Sequence, residues 1–167
     1  MFSIKFFKIY VLFLLFQFLT CKGGIDSKNS DSPYDFSLQD LKGKIHSLKE
    51  FKGKVVLLNF WATWCPPCKE DIAELVKIYG QYKDSGLEII GISLDKKELG
   101  VVDSFAREMD IPYTILMGDE TMIKNYGDFK GVPTTFLLNR EGVIVKRYAG
   151  QITVETIKSD LNAWLKK

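Results

Sequence analysis

Short apolar runs alternate along the chain with stretches of helical periodicity. Val55 to Phe60 is apolar except for Asn59, a pattern typical of a strand buried on both faces of a sheet. Leu87 to Ile92 is a second largely apolar run and predicts another strand. Between them, residues 66–82 carry apolar side chains at helical spacing and predict a helix that starts at Pro66.

The same alternation continues to the C-terminus. Residues 34–51 predict a short hairpin with Gly43 at its turn, and Thr153 is the predicted cap of a final helix. The other predicted elements are helices over 101–109 and 120–126 and strands over 113–117, 134–138 and 143–148. The order β-β-β-α-β-α-β-α-β-β-α predicts an α/β fold in which a mixed central sheet is flanked by helices.

The first twenty residues have the form of a secretory signal. Lys5 and Lys8 precede an apolar run over 9–19, which is shorter than the roughly 20 residues of a membrane span. Cys21 follows directly, as in a bacterial lipoprotein signal whose cysteine is lipidated; ordinary cleavage and an uncleaved anchor are the alternatives. Each alternative places a tether at 21–33 and a domain at 34–167 on the periplasmic side of the cell envelope, and a lipid or uncleaved anchor also ties the chain to the membrane.

The charge of the chain argues against nucleic acid as a partner. The signal contains two of the 23 basic residues and none of the 21 acidic ones, so the remainder carries 21 of each. A neutral body without a basic stripe does not predict binding to phosphate backbones.

Three cysteines are too few for a disulfide scaffold, so their chemistry must be local. Cys65 and Cys68 are three residues apart where a strand passes into a helix, a spacing at which a disulfide can close. Pro66 and Pro67 are tolerated in the first helical turn. A helix N-terminus favours the thiolate, so the pattern predicts Cys65 as the nucleophile and Cys68 as the residue that resolves the mixed disulfide.

Two other uses of this cysteine pair are less consistent with the sequence. A structural zinc site needs four ligands, and the one histidine, His46, is distant and isolated in a lysine-bearing hairpin, where we predict a surface or strand residue with no partners nearby. A purely structural disulfide that closes so short a loop would constrain little chain entropy. Redox chemistry is therefore the prediction, with the cysteine pair itself as the redox group and no other cofactor or metal.

The segment Asn59 to Lys69 reads Asn-Phe-Trp-Ala-Thr-Trp-Cys-Pro-Pro-Cys-Lys and resembles the active-site segment of the TlpA/ResA-like thioredoxin family. Gly131 to Leu137 is similar to that family's second signature. Gly91 to Asp95, with the helix after it, matches the insertion that separates the family from plain thioredoxin. The resemblance covers about residues 34–167 and implies a thioredoxin fold with an N-terminal hairpin and a central insertion.

The resemblance also implies a substrate groove beside the cysteines. In this family the peptide bond between Val132 and Pro133 is cis and packs against the disulfide, and the residue before the proline offers its backbone to an extended substrate. From the chain alone, this segment would be a turn before a strand. Trp64, next to the nucleophile, is predicted to form an apolar wall of the groove, whereas Trp61 is predicted to pack in the core.

Proton transfer is where the sequence departs from the family patterns. Plain thioredoxins have a buried aspartate where this chain has Asn59, and an amide cannot accept a proton. Extracytoplasmic members have a glutamate three residues after the second cysteine, where this chain has Asp71, with Glu70 one place earlier. We predict that Asp71 handles the proton; the alternative is that it merely complements the helix dipole in the first turn.

The family resemblance implies that the protein reduces disulfides of envelope proteins, such as apocytochrome c, and that a membrane electron donor then reduces Cys65 and Cys68 again. The opposite direction, in which the protein oxidises its partners, stays open, because the two residues between the cysteines tune the reduction potential. Two alternatives come from other classes. One is a thiol peroxidase related to peroxiredoxins, but those enzymes have a threonine three residues before the attacking cysteine, where this chain has Ala62, with Thr63 one place later. The other is a non-enzymatic peptide-binding module, which would not need both cysteines.

Overall fold

The computed structural model describes residues 34–96, 98–127 and 129–166; the predicted signal, Cys21 and the tether therefore lie outside the described residues. The strands are β1 (Ser37–Gln39), β2 (Ile45–Ser47), β3 (Val55–Trp61), β4 (Leu87–Ser93), β5 (Thr114–Met117), β6 (Thr134–Leu138) and β7 (Ile144–Ala149). The helices are α1 (Pro66–Tyr82), α2 (Leu99–Glu108), α3 (Glu120–Asn125) and α4 (Val154–Leu165), and short 3₁₀ turns cover Leu48–Phe51 and Lys83–Ser85. None of the helices in these ranges is long and apolar enough to cross a membrane.

Five strands form one mixed sheet in the order β5-β4-β3-β6-β7. β3, β4 and β5 are parallel, whereas β6 runs antiparallel to β3 and β7 antiparallel to β6. The prediction of a mixed central sheet is confirmed, and the order of helices and strands is the predicted one. Parallel neighbours need crossover connections, and α1 and α2 provide them.

β3 lies at the centre of the sheet and is buried along its whole length, as its apolar run predicted. Its alternate residues face two separate cores. Val56, Leu58 and Phe60 pack in the core that includes Phe136, while Val55 and Leu57 pack in a core with residues from α1 and α4. Because β3 is covered on both faces, its C-terminal end is held rigidly, and this is the end that leads into α1.

The hairpin β1–β2 forms a separate two-stranded sheet, and one bridge between Asp40 and Leu116 links it to the edge strand β5. His46 lies on β2, as predicted, but the prediction that it lacks partners was wrong. Its Nε2 is 3.2 Å from Asp40 Oδ2 and its Nδ1 is 3.1 Å from Glu50 Oε2. These carboxylates come from the turn before β2 and the 3₁₀ turn after it, so the hairpin had to close before the three groups could meet.

Candidate functional site

Cys65 and Cys68 lie where the chain passes from β3 into α1. Cys65 is the N-cap of α1 with an extended backbone, and Pro66 and Pro67 occupy the first helical positions. The two cysteines form a disulfide with their Cα atoms 5.3 Å apart, within the usual range. The structure thus confirms that the pair closes a disulfide at a helix N-terminus.

The two sulfur-bearing residues differ in their access to solvent. Cys68 is completely buried, and Cys65 is 4% exposed. Both belong to an apolar cluster with Trp61 and Ile72. Trp61 is buried and stacks on a phenylalanine of α2, so its predicted place in the core is confirmed.

The loop before β6 brings the second family signature onto the cysteine pair. The peptide bond between Val132 and Pro133 is cis, as the resemblance implied. The carbonyl oxygen of Val132 is 3.7 Å from Cys65 Sγ, although the residues are 67 positions apart. Pro133 is buried, and its carbonyl accepts a hydrogen bond from the N–H of Gly150 at 2.9 Å.

An open groove of about 520 Å³ runs beside Cys65, and we call it the Cys65 groove. Its lining residues are mostly apolar: Trp64, Cys65, Pro66, Pro67, Leu94, Ile123, Phe129, Lys130, Gly131 and Val132. Trp64 is 68% exposed, so this large apolar residue of the groove is accessible to solvent. Cys68 and Pro133 lie beneath this surface and are not among the lining residues. An incoming disulfide would therefore meet Cys65 first.

Asp71 is a buried carboxylate in the middle of the fold. It is 1% exposed, on the same helix as Cys68 and three residues further on. Its Oδ1 accepts a hydrogen bond from the N–H of Ile152 at 2.7 Å, and its Oδ2 accepts one from Asn59 Nδ2 at 2.8 Å. The first turn of α1 contains no acidic residue, so simple dipole complementation does not account for Asp71.

The surroundings of Asp71 raise its pKa from 3.8 to about 6. Burial is the main cause, because it penalises the charged form. The two hydrogen bonds oppose this shift, and the negative charge of Glu74 adds to it. A carboxyl group with such a pKa exchanges protons near neutral pH, which is what a proton acceptor for a buried thiol requires.

Asn59 has a part in the site that the sequence did not reveal. Its Nδ2 donates one hydrogen bond to Asp71 and a second, at 2.8 Å, to Thr135 Oγ1 on β6. Asn59 thus does not replace the aspartate of plain thioredoxins; it orients the carboxylate that comes from α1. Glu70, by contrast, is exposed and contacts Gln151.

A larger cavity, of about 980 Å³, lies away from the cysteines between the hairpin and the α2–β5 connection, with His46, Arg107 and Tyr113 among its lining residues. It holds none of the predicted site residues. Within residues 34–96, 98–127 and 129–166, no group of three or more His, Cys, Asp or Glu side chains is arranged to hold a metal ion.

The sequence of this chain is similar to those of known proteins. The sequence profile of the AhpC/TSA family matches residues 30–147. The thiol-disulfide oxidoreductase ResA of Bacillus thuringiensis subsp. konkukian is 38% identical over 135 residues, which cover 80% of this chain and 74% of that protein.

Solved structures have the same fold, as two examples illustrate. A thiol:disulfide interchange protein of the thioredoxin family from Chlorobium tepidum TLS superposes with a TM-score of 0.71 at 26% identity, covering 78% of this chain and 93% of that one. StoA from Bacillus subtilis superposes with a TM-score of 0.65 at 27% identity, covering 77% and 96%. Together with the ResA match, these similarities show that the chain belongs to the AhpC/TSA family, as a thiol–disulfide oxidoreductase of the thioredoxin fold whose redox group is the Cys65–Cys68 disulfide.

Proposed function

We propose that this oxidoreductase reduces disulfides of other proteins in the bacterial cell envelope, with Cys65 as the attacking residue. The observation that carries the assignment is the difference between the two sulfurs: Cys65 lines the groove at the start of α1, and Cys68 is buried behind it. A helix N-terminus stabilises negative charge, which favours the Cys65 thiolate.

The reaction begins from the reduced dithiol. The Cys65 thiolate attacks one sulfur of the substrate disulfide, which forms a mixed disulfide and releases the other substrate sulfur as a thiolate. Cys68 then loses its proton and attacks Cys65 Sγ, which releases the second substrate sulfur. Two electrons and, after protonation, two protons pass to the substrate, and the protein is left with the disulfide seen in the structure.

Asp71 is the proposed acceptor of the Cys68 proton. It lies on the same face of α1 and is buried like Cys68, and the pKa of its carboxyl group is about 6. When Cys68 attacks, the carboxylate takes the proton, and it passes the proton on as the substrate thiolate leaves.

The Cys65 groove is the proposed binding site for the substrate chain. An extended peptide would pair with the backbone of Val132, at the cis peptide bond to Pro133, and would lay an apolar side chain against Trp64. The apolar lining supports a protein substrate in an unfolded or extended form, since such chains expose both their backbone and their apolar side chains. Apocytochrome c, whose cysteines must be reduced before haem attachment, is the substrate that the family resemblance favours.

The location outside the cytoplasm is proposed from the N-terminal sequence. The secretory signal at 1–20 exports the chain, a lipid on Cys21 anchors it, and residues 21–33 tether the domain. A membrane electron donor would then reduce Cys65–Cys68 after each turnover. Intact-mass analysis of the membrane-extracted protein tests the anchor. A mature chain that begins at a lipid-modified Cys21 supports it, and a mature chain that starts beyond residue 21 or carries an unmodified Cys21 contradicts it.

The reductase activity is tested with the full-length protein in detergent. We expect the pre-reduced protein to open the disulfide of an oxidised Cys-x-x-Cys-His peptide, with one Cys65–Cys68 disulfide formed for each peptide reduced. The Cys65→Ser variant should show no reaction above background. A parallel assay measures peroxide consumption. Peroxide consumed faster than the peptide disulfide would favour the thiol-peroxidase class instead.

A further inference from the structure

Asp95 lies at the C-terminal end of β4, inside the segment that resembles the family insertion, and the reaction described so far gives it no part. Its side chain is 3% exposed. Oδ1 accepts a hydrogen bond from Thr63 Oγ1 at 2.6 Å, and Oδ2 accepts one from the N–H of Thr63 at 3.0 Å. Ser93 Oγ donates a third hydrogen bond to Oδ2 at 2.8 Å. Two of the three donors therefore come from a single residue.

Thr63 belongs to the short connection that carries the nucleophile. Residues 62–64 join the end of β3 to Cys65, and the N–H of Cys65 donates to the carbonyl of Ala62 at 3.1 Å. The residue just before this connection is held as well, because the N–H of Leu94, which directly follows β4, donates to the carbonyl of Trp61 at 2.9 Å. Asp95 thus ties the middle of the connection to the same end of β4.

The chemistry of Asp95 makes this attachment a strong one. A buried carboxylate is costly unless hydrogen-bond donors compensate its charge. The ion pairs found among the described residues do not include Asp95. Its compensation comes instead from the neutral donors of Thr63 and Ser93. A movement of Thr63 away from β4 would leave the carboxylate short of two donors, so the connection is held at one position.

The attachment also joins two segments that line the Cys65 groove. Trp64 and Cys65 follow Thr63 directly, and Leu94 directly precedes Asp95; all three line the groove. The Thr63–Asp95 contact therefore links the segment that carries Cys65 to the segment that carries Leu94, and both segments line the groove in which a substrate chain would lie.

We propose that Asp95 and Thr63 are positioning residues that orient Cys65 for attack on a protein-bound disulfide; this rests on Cys65 being the attacking residue. Thiolate attack on a disulfide proceeds in line with the bond that breaks, and a misplacement of about 1 Å can cost about a hundredfold in rate. A small reagent can approach a misplaced thiolate from another direction, whereas a substrate chain that is held in the groove cannot change its direction of approach.

The test compares Thr63→Val, Thr63→Ser and Asp95→Asn with the parent protein. Valine has nearly the shape of threonine and removes only the hydroxyl donor, whereas serine keeps it. Asparagine at position 95 keeps one acceptor oxygen but replaces the other with an N–H₂ group, which cannot accept. Asp160→Asn is the control, because it also removes a carboxylate. Asp160 accepts hydrogen bonds from Lys146 and Tyr148 of the edge strand β7 and is not part of the Cys65 groove.

Two rates are measured for each variant. We expect reduction of the peptide disulfide to fall roughly tenfold in Thr63→Val and in Asp95→Asn, while alkylation of Cys65 by iodoacetamide at pH 9 changes less than about twofold. Thr63→Ser should recover the peptide rate. Asp160→Asn should lower the melting temperature without lowering either rate.

The outcomes separate this proposal from the proposed function. An active parent with an equally active Thr63→Val variant overturns the positioning role alone. A parallel loss of both rates also overturns it, since that result indicates general disruption of the site. If Asp95→Asn does not fold, the comparison of valine with serine at position 63 still decides whether Thr63 is a positioning residue. A parent that does not reduce the peptide, or a Cys65→Ser variant as active as the parent, overturns the proposed function itself.

Discussion

Replacement of Cys68 by serine is expected to abolish turnover and to leave the protein joined covalently to its substrates. The Cys65 thiolate still attacks, because the helix N-terminus that stabilises it is unchanged. Nothing then releases the mixed disulfide, because the buried position behind Cys65 holds a hydroxyl group, which does not displace a thiolate from sulfur. Mass spectrometry should detect one substrate joined to each protein molecule by a disulfide, and dithiothreitol should release that substrate.

The matched control is Cys65→Ser, which should form no adduct under the same conditions. The double variant should behave in the same way. Adducts that form without Cys65 and depend on Cys68 would reverse the two roles. Adducts captured in envelope preparations from the native host would also identify the physiological substrates and test the proposal of apocytochrome c.

Replacement of Asp71 by asparagine is expected to slow the resolution of the mixed disulfide while making the protein more stable at neutral pH. Cys68 must lose a proton in an apolar setting where its charged form is costly, and an amide cannot accept that proton. General-base catalysis contributes at least about a hundredfold, so we expect a loss of that size at pH 7. The loss should shrink towards pH 9, where hydroxide deprotonates the thiol directly.

Asp71→Asn is expected to stabilise the protein although it slows the reaction, because the folded state raises the pKa of Asp71. Folded Asp71 holds its proton up to about pH 6, whereas the unfolded chain releases it near pH 3.8. The folded protein therefore loses stability as the pH rises from about 4 to about 6, and the full cost is present above that range. A shift from 3.8 to about 6 corresponds to about 3 kcal/mol. This is an upper limit for the gain in Asp71→Asn, because the new amide faces the amide of Asn59.

Urea unfolding at pH 4 and pH 8 measures this effect, and stopped-flow resolution of a preformed mixed disulfide from pH 5 to 9 measures the rate. Glu70→Gln is the control, because Glu70 is the neighbouring acid but is exposed, so both its rate and its stability should match those of the parent. Unchanged resolution rates in Asp71→Asn over this range would remove Asp71 from the mechanism and leave water as the acceptor. A variant that is less stable at pH 8 would show that the carboxylate has a structural role instead.

The elements of this fold could be predicted where local chemistry is decisive. The helix α1 starts at Pro66 and ends at Tyr82, as predicted, because proline at the first position and regular apolar spacing are local signals. β3 is one residue longer than predicted, and α2 begins at Leu99, two residues before its predicted start. Helix and strand ends depend on backbone partners that a local pattern does not show.

The cysteine pair was also evident from the sequence, since its spacing, its prolines and its place between a strand and a helix are all contained in a few consecutive residues. The alignment of Asp71 with a family glutamate made it a candidate. Its buried, hydrogen-bonded environment was not predictable, because the partners of its carboxylate are the N–H of Ile152, 81 residues away, and the amide of Asn59 on the central strand.

Tertiary structure also decided the partners of His46 and Asp95, because these partners come together only when the chain folds. His46 acquired partners only when the hairpin closed on Asp40 and Glu50. Thr63 and Asp95 are 32 residues apart, and they meet because β3 and β4 are parallel neighbours whose C-terminal ends lie side by side. Local sequence thus determined which residues carry the sulfur chemistry. The pairing of distant strands determined which buried groups orient those residues and exchange protons with them, because hydrogen-bond partners and burial arise only when the chain is packed.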